Sequence, residues 1–373
     1  MVVLLLYVDD MLVASNDLEK LEEIKGKLDE TFETKDLGEP KSFLRITIER
    51  NKEDKYMNIH QARYTESVLK KFHMEECKPQ STPMVTRQVS NKNKKSRLEE
   101  SNNEDVIQKE EIKRVPYREA IESLMYLENA TRPDIAFAVN YLAKKQLKPT
   151  EEDWQDVKRV FRYLKETVNR GLIFRGRTNE LEALTDASFR DCTDSTSTGG
   201  YIIKLFEDVI AWRSHKQTYV TLSTCQAEYL AMSEACQEVI SLDKSLRHVV
   251  GEIFFPSVIW CDNRAAGNCI KKDGSHKLKM FDDELEKVKR NLKEREDTGN
   301  RKHMADTHGD FVKQCANQGK VEVRWIETRE NLDDIMTKPL PLEAFAYPTE
   351  KNHVTKSRHE ITSRNHVTKL RNQ

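Results

Sequence analysis

A chain of 373 residues has room for two or three domains, each with a core of its own. Charged residues make up 34% and the hydrophobic set 37%, a polar balance that argues for folded units joined by solvated linkers and against one continuous globule. With 62 basic and 63 acidic residues the formal charge is −1, so no global basic field draws in nucleic acid and any such binding rests on local patches.

The apolar start, Val2 to Val8, lacks a basic leader, runs into Asp9-Asp10 and is too short to cross a bilayer, so it is read as a buried strand. A chain that opens on a core strand is expected to lack its beginning. Val2–Val8 and Met11–Ala14 flank the two aspartates as the arms of a hairpin. Leu21, Ile24, Leu28 and Phe32 recur at helical spacing within 18–32. Paired strands follow at Phe43–Glu49 and Tyr56–Ile59, then a helix over 62–72. The seven cysteines are scattered with no CxxC pair, which fits reduced thiols in an intracellular protein.

From 78 to about 113 the text turns to Lys, Glu, Asn and Ser with almost no apolar period, a disordered linker. Helices are expected over 117–128, 133–146 and 151–167, the last opened by a capping box at Thr150-Glu151-Glu152-Asp153. Lys158, Arg162 and Lys165 form a basic stripe on it, which by itself reads as a solvated face. Short strands then follow at Glu182–Thr185, Tyr201–Phe206, Val209–Trp212 and Tyr219–Leu222. A long helix runs from Thr224 to about Val250, and a strand at Ser257–Cys261 leads into a helix near Asn263. A helix near 301–316, a strand at Val321–Ile326 and a short helix from Asn331 complete an α/β sheet of mixed direction. The basic tail after 345, with Asn-His-Val-Thr-Lys at 352–356 and 365–369, is assigned no fold.

Four acids stand where this order brings segments together: Asp186 and Asp262 at strand ends, Glu228 early in the long helix and Asp334 at the last one. A lone aspartate at a strand end is usually a turn former or a cap, but four in one topological order point to a site. Such a cluster repels itself when empty and calls for a hard cation, Mg²⁺ or Mn²⁺. Two such ions about 3.5–4 Å apart activate a water and steady the leaving oxygen in phosphodiester cleavage. His303, His308 and Cys315 have no spacing that makes a zinc site, and Trp260 and Trp325 are read as packing against the sheet.

The hairpin Tyr7-Val8-Asp9-Asp10 resembles the catalytic hairpin of reverse transcriptases. Thr185-Asp186-Ala187-Ser188, Cys225-Gln226-Ala227-Glu228-Tyr229, Cys261-Asp262-Asn263 and Asp334-Ile335-Met336-Thr337-Lys338-Pro339-Leu340 resemble the ribonuclease H part of Pol polyproteins of copia-class retrotransposons. Ser81-Thr82-Pro83, Thr131-Arg132-Pro133-Asp134-Ile135 and Arg162-Tyr163-Leu164-Lys165 extend that likeness over residues 1–345. The resemblance implies a truncated reverse transcriptase palm over 1–77, a linker over 78–114 and a thumb-like helical region over 115–175. It further implies a ribonuclease H-like domain over 176–342, with a five-stranded mixed sheet, flanking helices and a charged insertion at 277–301, then a disordered tail over 343–373.

Asp9 and Asp10 would be relic polymerase ligands, since a third aspartate and most of the palm lie upstream in the family. Asp186, Glu228, Asp262 and Asp334, with Asp333 as fallback for the last, would hold two Mg²⁺ or Mn²⁺ ions and cut the RNA strand of RNA–DNA hybrids. The other expected partners are a template-primer, met by Lys158, Arg162 and Lys165, and the remaining Pol segments. Departures from the family text are Gln226, Glu122, Ser195-Thr196 and the insertion before Lys302-His303. The alternative is a decayed, non-catalytic fragment that at most binds nucleic acid.

Overall fold

The computed structural model describes residues 1–86, 115–251, 256–271, 311–346 and 366–372. Most of the expected linker, the insertion at 277–301, the Lys302-His303 pair, His308 and much of the tail lie outside the described residues.

The hairpin forms from β1 (Val2–Tyr7) and β2 (Asp10–Ser15), with Tyr7 opposite Asp10 at its end. Helix α1 (Leu18–Thr31) is capped by Asp17, whose carboxylate accepts from the Glu19 and Lys20 backbone N–H groups at 3.1 and 3.3 Å. It packs Leu21 on Met11 and Val13 of β2. The expected burial of Val2–Val8 is corrected: Leu4, Leu5, Leu6, Tyr7 and Val8 are 46–76% exposed, because β1 is the sheet edge and α1 packs mainly on its neighbours in the sheet. The tail is corrected as well. Strand β13 (His366–Asn372) inserts between β2 and β3 (Thr34–Asp36), antiparallel to both. Both neighbours carry backbone groups that need a partner, and a strand of the tail supplies them.

A second sheet runs β4 (Ser42–Phe43), β5 (Ile46–Asn51), β6 (Tyr56–His60) and β7 (Gly171–Phe174). The expected strand at 43–49 is broken at Leu44 and Arg45, whose φ values of +47° and +59° are left-handed. A two-residue hairpin turn of this hand favours Asn-Gly, so two side chains are strained here. Tyr126 Oη holds the turn by donating to the Leu44 carbonyl at 2.6 Å, and the Arg45 guanidinium lies 5.9 Å from the Tyr64 ring centre. Arg45→Gly is therefore expected to raise stability by about 1 kcal/mol in urea unfolding. A lowered midpoint would show that the Tyr64 contact outweighs the strain. At Gly171 no side chain fits, since a Cβ would come 2.1 Å from the Ile59 carbonyl.

Helices α2 (Ala62–Lys71), α3 (Tyr117–Thr131), α4 (Ala136–Ala143) and α5 (Glu151–Glu166) form a layer. The capping box at α5 is present: Thr150 Oγ1 accepts from Asp153 N at 3.2 Å, and Asp153 Oδ2 accepts from Thr150 N at 2.9 Å. Between α3 and α4 the Arg132 side chain is buried. It donates to both oxygens of Asp134 at 2.9 and 2.8 Å and to the Thr167 carbonyl at 3.0 Å, while Tyr163 Oη donates to Asp134 at 2.6 Å. Two of the motifs that carried the resemblance thus meet in one polar staple across the layer.

The third sheet has five strands in the order β10-β9-β8-β11-β12. Strands β8 (Leu181–Ser188), β9 (Thr198–Leu205) and β10 (Asp208–Lys216) are antiparallel. Strand β11 (Ser257–Cys261) runs parallel to β8 and to β12 (Val321–Trp325), giving the mixed sheet expected. Helix α6 (Thr224–Val250) covers one face, packing Ala235 and Val239 on Leu181, Ala183 and Ile203. The strand period of two turns Leu184 and Ile202 the other way, into one core with Ile121, Leu124, Val160 and Phe161 of the helical layer. The strand expected at Tyr219–Leu222 is a loop: Val220 and Leu222 are 51% and 39% exposed, and β10 already forms that edge.

Candidate metal centre

Each acid reaches the centre from a different element. Asp186 lies near the end of β8, opposite Gly200 of β9. Glu228 sits in the second turn of α6, which Ser223 caps by accepting from Gln226 N at 3.2 Å. Asp262 follows β11 directly and precedes helix α7 (Arg264–Lys271), and Asp334 opens the short helix α8 (Asp334–Thr337). Carboxylate oxygens of Asp186, Asp262 and Asp334 lie within 4.8 Å of one another, and so do ligand atoms of Glu228, Cys261 and Asp262. Asp262 belongs to both groupings. Asp333, the fallback, belongs to neither.

The electrostatics fit a divalent cation. Burial first, then Asp186 and Asp262, pushes the Glu228 carboxyl up to about 10, and its Oε2 has no hydrogen-bond partner. Burial and Asp186 also raise Asp262 and Asp334 above the usual carboxylate range. Asp333 is fully buried, and burial, Asp186 and Asp334 drive it well above that range. The Cys261 thiol is pushed up by burial and then Glu228, which keeps it protonated at neutral pH and makes it a poor ligand beside the carboxylates. Oxygen donors of this kind suit Mg²⁺ or Mn²⁺.

These raised values set the pH response. Folded carboxyls hold protons that the unfolded chain has already released, so their contribution to stability falls as pH rises from the ordinary carboxylate range toward about 10, the Glu228 value. Without metal, the thermal midpoint is expected to drop between about pH 5 and about pH 8, and saturating Mg²⁺ is expected to flatten that slope. A metal-free midpoint that rises over the same range would mean the carboxyls are not held together.

Several residues of the centre were not singled out from the sequence. Thr337 Oγ1 donates to Asp186 Oδ2, a contact between residues 151 positions apart. Lys338 Nζ lies 2.7 Å from Asp334 Oδ1 and 3.5 Å from Asp186 Oδ2. Burial opposes the Lys338 charge, but Asp186 and Asp334 more than offset it and hold the ammonium above its ordinary range. Asn331 Nδ2 donates to the Thr185 carbonyl at 3.0 Å and fixes the loop before α8 to β8. Gly200 lets α8 close in, since a Cβ there would meet Met336 Cβ at 2.6 Å and Asp333 Oδ2 at 3.0 Å. Thr337 and Lys338 stood in a quoted motif, yet nothing in that string showed where their side chains go.

The remaining candidates stand apart from this centre. Asp9 and Asp10 lie at the β1–β2 turn and, among the described residues, join no acidic grouping. The stripe of Lys158, Arg162 and Lys165 lies on α5, where Lys158 Nζ sits 5.6 Å from the Trp154 ring centre and Gln80 N donates to the Arg162 carbonyl. Cys315 is buried in the core beside β12, and the six described cysteines are free. Among the described residues no helix is long and apolar enough to cross a membrane.

A family model described as reverse transcriptase (RNA-dependent DNA polymerase) matches residues 1–86. The chain is 32% identical over 346 residues to the retrovirus-related Pol polyprotein from transposon TNT 1-94 of Nicotiana tabacum, covering 92% of this chain and 24% of that protein. It is 30% identical over 356 residues to the Pol polyprotein from transposon RE2 of Arabidopsis thaliana, covering 95% of this chain and 22% of that one. The chain thus spans about a quarter of the length of these relatives. A solved N-terminal RNase H domain of rv2228c from Mycobacterium tuberculosis, fused to maltose-binding protein, aligns with a TM-score of 0.27 at 10% identity, over 46% of this chain and 98% of that one. With residues 1–86 matching the reverse transcriptase model and more than nine-tenths of its length aligned to transposon Pol polyproteins, the chain belongs to the Pol polyprotein family of copia-class retrotransposons.

Proposed function

We propose that the five-stranded sheet carries a divalent-metal nuclease that hydrolyses the RNA strand of RNA–DNA hybrids. The observation that carries this reading is the meeting of Asp186, Asp262 and Asp334, from a strand, a strand end and a helix start, within 4.8 Å. Asp186 and Asp334 would hold one ion and Glu228 a second, with Asp262 shared between them. Bound there, two Mg²⁺ or Mn²⁺ ions supply a water activated at neutral pH and a counter-charge for the leaving oxygen.

The protein's own residues set the geometry. The Thr337 hydroxyl orients the Asp186 carboxylate, and Asn331 holds the loop that presents Asp334. Water attacks the phosphorus, the bond to O3′ breaks, and O3′ takes up a proton. The products are a 3′-hydroxyl and a 5′-phosphate. Recognition of the hybrid rests on backbone shape and 2′-hydroxyls more than on bases.

The test is cleavage of an end-labelled hybrid by the full chain with Mg²⁺, with Mn²⁺ and with EDTA. Cutting of the RNA strand alone, abolished by EDTA, is the expected result. One observation favours a second, non-catalytic reading: Lys338 already supplies a positive charge to Asp334 and Asp186. A folded chain that neither cuts the hybrid nor gains thermal stability with millimolar Mg²⁺ would establish that reading instead.

A further inference from the structure

Strand β12 ends in an exposed tryptophan beside the carboxylates, which corrects the expectation that Trp325 packs against the sheet. Trp325 pairs with Cys261 across the parallel strands and is 42% exposed. Its Nε1–H donates to the Asp262 carbonyl at 3.0 Å, so the ring is tied to the aspartate shared by both acidic groupings. Over that ring lies Arg264, its guanidinium carbon 4.0 Å from the ring centre. The backbone that carries Arg264 is itself fixed: Asn263 Oδ1 accepts from Ala265 N and Ala266 N at 3.0 and 3.2 Å. A cavity of about 180 Å³ opens alongside, lined in part by Asn263, Arg264, Asn268, Arg324 and Trp325.

Charge separates the two arginines. Arg324 is paired with Glu322 at 2.7 Å, whereas among the described residues Arg264 is within ion-pair distance of no carboxylate. A guanidinium lying on an aromatic face keeps its N–H donors in the ring-parallel plane and open at the edge. That planar fork matches two oxygens of a phosphodiester. It also covers one face of the indole, which favours backbone contact over stacking of a base. We propose that Arg264, held on Trp325, grips a backbone phosphate of the nucleic-acid strand next to the bond cut at the carboxylate centre. This rests on the nuclease reading above and makes Arg264 a positioning residue for it.

Binding of a fluorescein-labelled RNA–DNA hybrid to the full chain, without divalent metal and across a range of salt, tests the assignment. Arg264→Gln is expected to weaken binding about tenfold at about 0.1 M salt and to lower the slope of log K against log salt by about one, the loss of one phosphate contact. Arg264→Lys is expected to restore the slope but not the affinity, because an ammonium lacks the fork. In cleavage assays Arg264→Gln should raise KM more than it lowers kcat. Arg264 is exposed, and an unchanged thermal midpoint confirms that each variant folds. If the native chain binds and cuts the hybrid while Arg264→Gln keeps its affinity and slope, the phosphate grip is overturned and the nuclease reading stands. If the folded native chain neither binds nor cuts the hybrid, both fall.

Discussion

Asp262→Asn is expected to slow hybrid cleavage about a thousandfold, a loss of about 4 kcal/mol of transition-state stabilisation. The substitution keeps size and shape but removes the charge that both acidic groupings share. The scaffold around it should hold, because Trp325 bonds the Asp262 backbone carbonyl and not its side chain. Removing a carboxylate whose acidity is already suppressed by burial and by Asp186 also relieves repulsion in the empty site. The metal-free variant should therefore melt no lower than the native chain, while its gain on adding Mg²⁺ shrinks. Retention of native cleavage by a folded Asp262→Asn chain would sink the nuclease reading. A chain that fails to fold would be answered by Asp186→Asn, which touches the same centre from β8.

Asp134→Ala is expected to destabilise the chain by about 3–5 kcal/mol. Arg132 is 1% exposed, and Asp134 is its one carboxylate partner among the described residues. Truncation leaves the guanidinium buried and uncompensated, and it also strips the acceptor from Tyr163 Oη. Loss of charge pairing inside a core costs far more than a surface ion pair, for which about 0–1 kcal/mol is usual. Urea unfolding reads the effect. Arg132→Met combined with Asp134→Leu should recover much of the loss, since it removes both buried charges together. A single Asp134→Ala loss below about 1 kcal/mol would mean that water reaches the staple.

Elements whose signals are local are legible in the sequence itself. The Thr150 box, the span of α6 and the strands that carry Asp186 and lead to Asp262 all follow from periodicity and capping chemistry. Pairing partners are not. The Gly171–Phe174 strand joins β6 across more than a hundred residues, and nothing near it specifies that choice. The apolar text at Tyr219–Leu222 has the composition of a strand, but the edge it would occupy is already closed by β10. Within the centre, the acids are readable because their chemistry is narrow. Thr337, Lys338, Asn331 and the Arg264–Trp325 stack are ordinary residue types that gain meaning only from what lies opposite them.

The core shared by Leu184 and Ile202 with Ile121, Leu124, Val160 and Phe161 has a consequence for handling the protein. Severing the chain near residue 175 would leave one face of the five-stranded sheet as a wet apolar plane, prone to self-association. The helical layer acts as the other half of that sheet's interior, so the two are expected to melt cooperatively and neither to fold as a portable cassette.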